Sequence, residues 1–388
     1  MAENVLLLRY GELGLKGKNR DFFEDTLLRN VRRALAGMQA VAEKRFGRVV
    51  VRVPADETEG AVAALQRVFG LVSLSPAART RLEMSEILKA ALEEVGTRVQ
   101  PPFTFKVEAR RSEKRFPHTS PDINRLVGTH ILEAYGRRGV AVDVHEPDIV
   151  VHVEVRDDGA YVFSRVIPGP GGLPLGSGGK ALLLLSGGID SPVAGWFMMK
   201  RGVALEAIHF HSFPFTSEKS KQKAVDLCGA LARWGLPVPL HVCHFGEIQE
   251  EIGRSCPDEM TTIVMRRMML RISERTAVAR GCQALVTGES VGQVASQTLE
   301  SMGVVGGVTA MTILRPLCGL DKVEIIERAK RIGTFDISTR PFEDCCAMFV
   351  PRHPKTKPRP DQAERAEAAM DVDGLVERAL QGIELITP

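Results

Sequence analysis

The sequence is poor in aromatic residues, which make up 5% of its 388 residues. Stacking of bases on an aromatic-rich sheet is therefore excluded as the main mode of any nucleic-acid binding, and contacts to the backbone would have to dominate. No apolar run approaches the ~20 residues that span a bilayer, and the N-terminal residues do not resemble a signal peptide. The seven cysteines include no Cys-x-x-Cys pair, and their odd number fits reduced thiols better than a disulfide framework. We therefore expect a cytoplasmic protein that does not associate with membranes.

One stretch combines a buried strand, a tight turn and the start of a helix. Five apolar residues, 181–185, precede Ser186-Gly187-Gly188-Ile189-Asp190-Ser191, and Pro192 follows. The apolar run predicts a parallel strand, the glycines permit a sharp turn, and Ser191-Pro192 can open a helix. No Gly-Lys-Ser/Thr closes the loop, so it is not a Walker motif. The hexapeptide instead resembles the PP-loop signature of enzymes that split ATP into an adenylate and pyrophosphate.

Such a loop would bind pyrophosphate through backbone N–H groups and hydroxyls, and it needs an acid to hold Mg²⁺ against the phosphates. Asp190 is the acid that we expect to do this. The alternative for Asp190 is a helix cap, which is compatible with metal binding. The alternative for the whole loop is a strand–helix turn without a ligand.

Glycine and proline mark the clearest boundary in the chain. Ten of the twelve residues in segment 168–179 are Gly, Pro or Ser, which is typical of a linker. Before it, residues 1–59 predict a small ferredoxin-like α+β domain and residues 60–167 a second small α/β domain. After it, residues 180–388 alternate strands and helices, which predicts an α/β domain with a doubly wound parallel sheet and a charged C-terminal tail.

Basic residues cluster at two places in the first half of the chain. The first group lies in the glycine-punctuated loop after the first strand, where Arg9 begins the motif, and the second lies at the end of a later strand. The expected RNA-binding residues are Lys16, Lys18, Arg20, Arg110, Arg111, Lys114 and Arg115. Phosphate binding is one interpretation and solvated surface charge is the other. The second group, within 107–120, resembles the THUMP domain of RNA-modifying enzymes.

Further polar residues follow the predicted strands of the second half. His209-Phe210 ends the second strand, and Gly288 would allow a ligand to approach the backbone closely. Gln293 and Gln297 are four apart, which places them on one face if the segment is helical. Either Arg266 or Arg267 could reach a phosphate, and Lys322 adds a cation suited to an adenylate transition state. Structural roles remain the alternative for each.

Two adjacent cysteines, Cys345 and Cys346, lie in a polar loop between Pro341 and Pro351. Such cysteines are candidates for a nucleophile that carries a persulfide. Nearby acids would raise the thiol pKa unless a basic side chain covers it.

Together these motifs closely resemble the ThiI family of tRNA 4-thiouridine synthetases over nearly the whole chain. The resemblance implies a ferredoxin-like domain, a THUMP domain that holds the tRNA acceptor end, and a PP-loop domain that adenylates the C4 oxygen of uridine 8. It implies that Cys345 bears the sulfur, with Cys346 as the second choice. Asp190 and Lys322 are the other catalytic residues that we expect, from the chemistry given above. The resemblance also implies an ATP pocket lined by Leu184, Leu185, His209, Phe210, Arg266, Gly288 and Gln297, beside the phosphate-binding loop residues Ser186, Gly187, Gly188, Asp190 and Ser191.

One departure from the family concerns the C-terminal rhodanese domain that some members carry. This chain extends only about 40 residues beyond Cys346, which is too short for that domain. We therefore expect a cysteine desulfurase or another persulfide donor to deliver sulfur directly to Cys345. Transfer of sulfur to the carrier ThiS for thiamine synthesis and a homodimeric state are further expectations. The alternatives are a different PP-loop RNA thiolase, an amidating ligase, or an RNA-binding protein that ATP only regulates.

Overall fold

The structure is a computed structural model that describes residues 3–45, 47–136, 138–342 and 355–388. It divides into two compact units, Met1–Gly172 and Leu173–Pro388. The division falls within the glycine-rich segment 168–179. Among the described residues, no helix is both long enough and apolar enough to cross a membrane.

The glycine-rich segment is hydrogen-bonded on each side to its own unit. Gly171 donates its backbone N–H to the carbonyl of Leu71 over 2.8 Å, and Gly176 donates to the carbonyl of Gly202 over 2.8 Å. Gly169 lies so close to Leu71 that an added Cβ would be 2.3 Å from its carbonyl oxygen. Glycine is needed at this position because two backbones meet there. The segment has the composition of a flexible linker, yet its residues make defined hydrogen bonds to the two units.

The N-terminal unit contains one nine-stranded sheet. Its strands are β1 (Glu3–Tyr10), β2 (Val41–Arg45), β3 (Arg48–Arg52), β4 (Leu71–Thr80), β5 (Phe103–Arg111), β6 (Val140–Val142), β7 (Ile149–Arg156), β8 (Gly159–Phe163) and β9 (Ile167–Pro168), and its helices are α1 (Arg20–Ala34), α2 (Thr58–Leu65), α3 (Met84–Arg98) and α4 (Ser120–Tyr135). The strand order is β2-β3-β1-β4-β8-β7-β5-β6, with β9 beside β4. One sheet therefore spans both predicted N-terminal domains, and the predicted boundary between residues 59 and 60 falls inside α2.

The two faces of this sheet differ because side chains alternate along each strand. On one face, Phe105 and Val153 pack with Ile87 of α3 and Ile123 of α4. A smaller cluster, drawn entirely from strands, packs on the other face and consists of Val5, Leu7, Val50, Ala77, Tyr161 and Phe163. The helices thus account for the main core of the unit.

The C-terminal unit has the predicted doubly wound parallel sheet. Its strands are β10 (Lys180–Leu184), β11 (Ala204–His211), β12 (Leu240–His244), β13 (Ala284–Val286), β14 (Thr312–Leu314) and β15 (Glu384–Ile386), and its helices are α5 (Asp190–Lys200), α6 (Glu218–Ala232), α7 (Gly246–Ser255), α8 (Thr261–Ala279), α9 (Leu299–Gly306), α10 (Lys322–Ile332), α11 (Phe335–Ser338), α12 (Pro360–Glu367) and α13 (Val372–Gln381). The order is β14-β13-β10-β11-β12-β15, and β15 is antiparallel to its neighbour.

The order of the strands identifies where a ligand would bind. From β10 the chain moves outward through β11 and β12, and it then returns to place β13 on the other side of β10. In such sheets ligands bind at the carboxyl ends of the strands where the order reverses. The loops after β10 and β13 are the two that leave the sheet at this point.

The C-terminal segment is an integral part of the fold, which corrects the prediction of a charged tail. Helices α12 and α13 place Ala363, Leu375 and Val376 in the same core as Met265 and Met268 of α8. Strand β15 then pairs with β12. The segment is rich in charge because its exposed helix faces are charged, while its apolar residues recur at helical spacing and are buried.

Candidate active site

The loop after β10 is held closed by its two serines. The backbone N–H of Ser186 donates to Ser191 Oγ over 3.0 Å, and Ser191 Oγ donates to the Ser186 carbonyl over 3.1 Å. The backbone N–H of Gly188 donates to Ser186 Oγ over 3.3 Å. Helix α5 begins at Asp190, so Ser191 closes the loop from inside the helix instead of serving as its N-cap. The positive end of the helix dipole is therefore directed at the loop, as an anion site requires.

Gly288 approaches the start of α5 from the neighbouring loop. A Cβ at this position would lie 2.6 Å from Ser191 N and 2.8 Å from Ser191 Cα. Real Cβ atoms do not come so close to backbone atoms, so only glycine fits without movement. The close approach that the structure shows at Gly288 is made to the backbone of α5, whereas the predicted approach was to a ligand.

Asp190 has a donor on each carboxylate oxygen. Lys322 Nζ donates to Oδ1 over 2.6 Å, and Gln293 Nε2 donates to Oδ2 over 2.9 Å. Lys322 is the first residue of α10, whose N-cap Asp321 accepts from the backbone N–H of Glu324 over 3.0 Å. The cap fixes the start of the helix. The two predicted catalytic side chains, Asp190 and Lys322, are thus brought into contact from positions 132 residues apart.

Gln293 and Gln297 lie in a loop and not on a helix, which corrects the predicted helical face. Gly292 has a φ of +75°, and its backbone N–H donates to the Gln297 carbonyl over 2.9 Å. That conformation is incompatible with a right-handed helix. The two amides consequently serve different partners: Gln293 contacts Asp190, and Gln297 Oε1 accepts from the backbone N–H of Ser290 over 3.2 Å.

Glu289 joins two arginines at the same edge of the sheet. Its side chain is buried and accepts from Arg266, from Arg315 Nε over 2.7 Å and from Thr287 Oγ1 over 2.7 Å. Burial alone would raise the pKa of Glu289, but the attraction of Arg266 and the other donors lowers it overall. Glu289 was not among the predicted site residues, although it lies in the Thr-Gly-Glu-Ser stretch that follows β13.

Arg267 does not reach the site, so Arg266 is the one of the two alternative arginines that lies there. It is buried against the C-terminal segment, where its Nε donates to Glu367 Oε1 over 2.8 Å. Arg271 NH2 donates to Glu367 Oε2 over 2.8 Å. Neighbouring residues of a helix point in directions about 100° apart, so Arg266 and Arg267 serve different parts of the unit.

The remaining predicted nucleotide-lining residues lie at the ends of β10 and β11. His209 Nδ1 is 3.0 Å from the Leu185 carbonyl, and the ring of Phe210 packs edge-on against Phe245 with centroids 5.1 Å apart. Leu185 and Phe210 are buried, and Leu184 is half-buried.

Cys345 and Cys346 lie outside the described residues. The cysteines that the structure does describe are Cys228, Cys243, Cys256, Cys282 and Cys318, all with free thiols. Burial raises the pKa of Cys228 to about 12 and that of Cys256 to about 11. A thiol with such a pKa forms little thiolate near neutral pH, which makes these residues poor nucleophiles.

The predicted RNA-binding residues of the N-terminal unit differ in their surroundings. Lys18, Arg110 and Lys114 are exposed. Lys16 Nζ lies 5.1 Å from the centroid of the Phe23 ring. Three residues contact the protein itself: Arg20 Nε donates to Glu24 over 2.6 Å, Arg111 NH1 donates to the Phe116 carbonyl over 2.9 Å, and Arg115, although exposed, donates through NH2 to Glu113 over 2.9 Å.

Arg9 belongs to a buried cluster and not to the exposed part of the first loop. Its NH2 donates to Glu154 Oε1 over 3.2 Å, and its guanidinium lies 4.8 Å from the centroid of the Phe163 ring. Arg48 NH2 lies 2.6 Å from Glu154 Oε2. Sequence spacing did not reveal this cluster, because Glu154 is 145 residues from Arg9 and comes beside it only through the order of the strands.

Comparisons with known proteins match the whole chain. Residues 5–75 match the ThiI ferredoxin-like domain, residues 82–165 the THUMP domain, and residues 176–372 the family described as thiamine biosynthesis protein (ThiI). A probable tRNA sulfurtransferase of Moorella thermoacetica is 54% identical over 98% of this chain and 97% of its own length. One from Brevibacillus brevis is 49% identical over 99% and 96%.

Among solved structures, a 4-thiouridine synthetase in complex with RNA and with bound ATP superposes with a TM-score of 0.91. That protein is 39% identical, and the match covers 99% of each chain. The agreement therefore extends over both units, the loop after β10 and the C-terminal helices. On this evidence the chain belongs to the ThiI family of tRNA sulfurtransferases.

Proposed function

We propose that this protein is an ATP-dependent tRNA sulfurtransferase that converts uridine 8 of tRNA to 4-thiouridine. The observation that carries the proposal is the contact between Asp190 and Lys322 at the start of α5, where the strand order of the sheet reverses. The relatives named tRNA sulfurtransferases and the related 4-thiouridine synthetase support this assignment. The reaction takes place in the cytoplasm, where tRNA is modified.

The first step forms an adenylate. The C4 oxygen of uridine attacks the α-phosphorus of ATP, and pyrophosphate leaves. The N-terminal end of α5 and the hydroxyls of Ser186 and Ser191 bind the phosphates. The loop backbone at Gly187 and Gly188 leaves room for them, and Lys322 stabilises the charge that develops in the transition state. Arg266, Gly288 and Gln297 line the nucleotide pocket together with the strand ends at Leu184, Leu185, His209 and Phe210.

Mg²⁺ fits the donors at this site, and Asp190 is the residue that would hold it. Among the described residues, no three His, Cys, Asp or Glu side chains form a ready-made metal site. Mg²⁺ usually takes only one or two carboxylates and completes its coordination with phosphate oxygens and water, which suits a single acid beside a phosphate loop. When bound, the metal neutralises phosphate charge. Lys322, whose Nζ lies 2.6 Å from Asp190 Oδ1, would supply a second positive charge beside the phosphates.

The second step transfers sulfur. The terminal sulfur of a persulfide on Cys345 attacks C4, and AMP leaves with the original oxygen. The S–S bond that remains between Cys345 and the base is then broken by a thiol, and a reductant supplies the two electrons. A cysteine desulfurase or another persulfide donor loads Cys345, and the same persulfide supplies ThiS in thiamine synthesis.

The basic residues Lys16, Lys18, Arg20, Arg110, Arg111, Lys114 and Arg115 bind the tRNA backbone. Exposed Lys18, Arg110 and Lys114 do so directly. Arg20, Arg111 and Arg115 are oriented by the contacts within the unit described above. A homodimer would let one subunit hold the acceptor end while the other modifies uridine 8.

The test replaces Cys345 with serine in the full chain, with Cys346→Ser as the matched control. We expect C345S to make no 4-thiouridine in nucleoside analysis of tRNA, because serine cannot carry a persulfide, while ATP binding is unchanged. C346S keeps most of its activity. Thiolation by C345S at the wild-type rate would contradict the role of Cys345.

Two further measurements separate the proposed enzyme from its rivals. Exchange of labelled pyrophosphate into ATP in the presence of tRNA distinguishes an adenylating enzyme from an RNA-binding protein that ATP only regulates. Nucleoside analysis of tRNA from a deletion strain distinguishes the enzymes: loss of 4-thiouridine supports the proposal, and loss of a different modified base contradicts it.

A further inference from the structure

Glu289 is a buried carboxylate whose basic partners are less buried than it is. Its side chain is 5% exposed, whereas the side chains of Arg266 and Arg315 are 19% and 21% exposed. One carboxylate oxygen accepts from Arg266, and the other accepts from Arg315 and Thr287. The acid thus lies beneath two guanidiniums that reach toward solvent.

Arg266 is fixed from two directions. Besides its bond to Glu289, its NH1 donates to the backbone carbonyl of Ser296 over 2.8 Å. Both partners belong to the loop 287–298, which also supplies Gly288 against α5 and Gln293 against Asp190. An arginine with its planar fork held by two acceptors has few remaining orientations, so less entropy is lost when a phosphate or a base binds to it.

The charge balance of the cluster favours an anion. Two guanidiniums face one carboxylate, which leaves a net charge of +1 at the edge of the sheet where the phosphate loop lies. Because the negative charge is the buried one, an approaching anion meets the positive charge first.

We propose that Glu289 is a positioning residue for the nucleotide: it holds Arg266 in the orientation that receives ATP. The inference rests on the proposed function in that it takes ATP as the ligand of this site. Glu289 touches neither the nucleotide nor the reacting atoms, and it acts through Arg266.

The experiment measures ATP affinity by calorimetry with Mg²⁺ on the full chain, without RNA or a sulfur donor. Replacing the acid in Glu289→Gln leaves Arg266 without its charged partner, and we expect the Kd for ATP to rise about tenfold. The conservative Glu289→Asp keeps the charge and restores part of the affinity. In an Arg266→Gln background, E289Q adds little, since the residue through which it acts is already gone.

Glu206→Gln is the matched control. Glu206 is also a buried glutamate with basic partners, Lys180 and Arg280, but it lies within β11 toward the amino end of the sheet. Both variants lower the unfolding temperature, whereas only E289Q weakens ATP binding. Equal effects of the two on Kd, or additive effects of E289Q and R266Q, would overturn the inference.

Two remaining outcomes are also decisive. If E289Q does not fold, Thr287→Val removes a neutral donor to the same carboxylate, and we expect a rise in Kd of about threefold; an unchanged Kd would overturn the inference. A wild-type chain that fails to bind ATP contradicts the proposed function and the inference together. If the wild-type chain binds ATP and E289Q binds it with the same affinity, only the inference is contradicted.

Discussion

Glu206 and Glu289 have similar surroundings and lie toward opposite edges of the same sheet. Glu206 is 3% exposed and accepts from Lys180, from Arg280 and from His241 Nε2 over 2.6 Å. Glu289, taken as a whole residue, is 4% exposed and accepts from Arg266 and Arg315. Burial and charge therefore do not distinguish them. Their positions do, because the partners of Glu206 lie near the starts of strands, whereas those of Glu289 lie beside the phosphate loop.

The comparison teaches that an ion cluster must be interpreted together with the direction of its strands. Carboxyl ends of parallel strands converge on ligand sites, while amino ends of the strands mainly serve stability. Acids at the carboxyl edge should therefore affect activity more than stability, and Glu206 should do the opposite. The following predictions are ordered by the size of the expected effect.

Asp190→Asn should give the largest effect. The change keeps the shape of the side chain and removes the charge that holds Lys322 and that we propose holds Mg²⁺, so kcat for 4-thiouridine formation should fall by roughly 100-fold or more. The ion pair with Lys322 is partly exposed, and its loss should cost only about 0–1 kcal/mol of unfolding free energy. Steady-state kinetics and urea unfolding measure the two effects. A variant with wild-type kcat would contradict the expectation that acids at the carboxyl edge of the sheet affect activity more than stability.

Glu206→Gln should give the reverse pattern. Glu206 is buried but its partners Lys180 and Arg280 are 35% and 40% exposed, so losing its charge-assisted hydrogen bonds should lower the free energy of unfolding by about 2 kcal/mol. ATP affinity and kcat should stay within about twofold of wild type. Urea unfolding and calorimetry on the same preparation test both, and a large loss of kcat in a folded variant would contradict the assignment to stability.

The same residue predicts a pH dependence. Burial tends to raise the pKa of Glu206, but its donors outweigh this and lower it to about 2. Since the folded-state pKa lies below the unfolded value, the stabilisation is fully present above the unfolded pKa of roughly 4.5 and is lost as the pH falls toward 2. The free energy of unfolding, measured from pH 6 to pH 3, should therefore fall more steeply for wild type than for E206Q.

Gln293→Leu should give the smallest effect, and it tests whether a neutral residue at the carboxyl edge also affects activity more than stability. It removes the donor to Asp190 Oδ2 and keeps a similar volume, so kcat should fall by about tenfold. Because Gln293 is half-buried in a loop, its replacement should change the free energy of unfolding by less than about 1 kcal/mol. Gln293→Glu, which places a second negative charge beside Asp190, is the informative companion. An equal kcat in all three proteins would show that this contact has no role.

Much of the C-terminal unit could be predicted from sequence because its signals are local. The apolar run 181–185, the two glycines and the alternation of strands with helices each depend on a few neighbouring residues. The structure confirms the strand as β10, the helix that follows the loop as α5, and the alternation of strands with helices after it.

What sequence could not supply depends on contacts between distant residues. The partner of Asp190 is fixed by the cap of α10, and the roles of Gln293 and Gln297 depend on the left-handed Gly292. Glu289 was not identified because a single acid after a strand carries no signal until the two arginines come beside it. The choice between Arg266 and Arg267 stayed open because the acid that binds Arg267, Glu367, lies 100 residues away in a segment predicted to be a tail.

Strand β15 has a consequence for how the protein behaves at high concentration. Residues 384–386 cover the outer edge of β12 in antiparallel pairing. Without them, the backbone N–H and C=O groups of that edge would be open to strands from other molecules, which is a common route to aggregation. A variant that lacks these three residues should therefore keep its nucleotide chemistry in dilute solution and self-associate as its concentration rises.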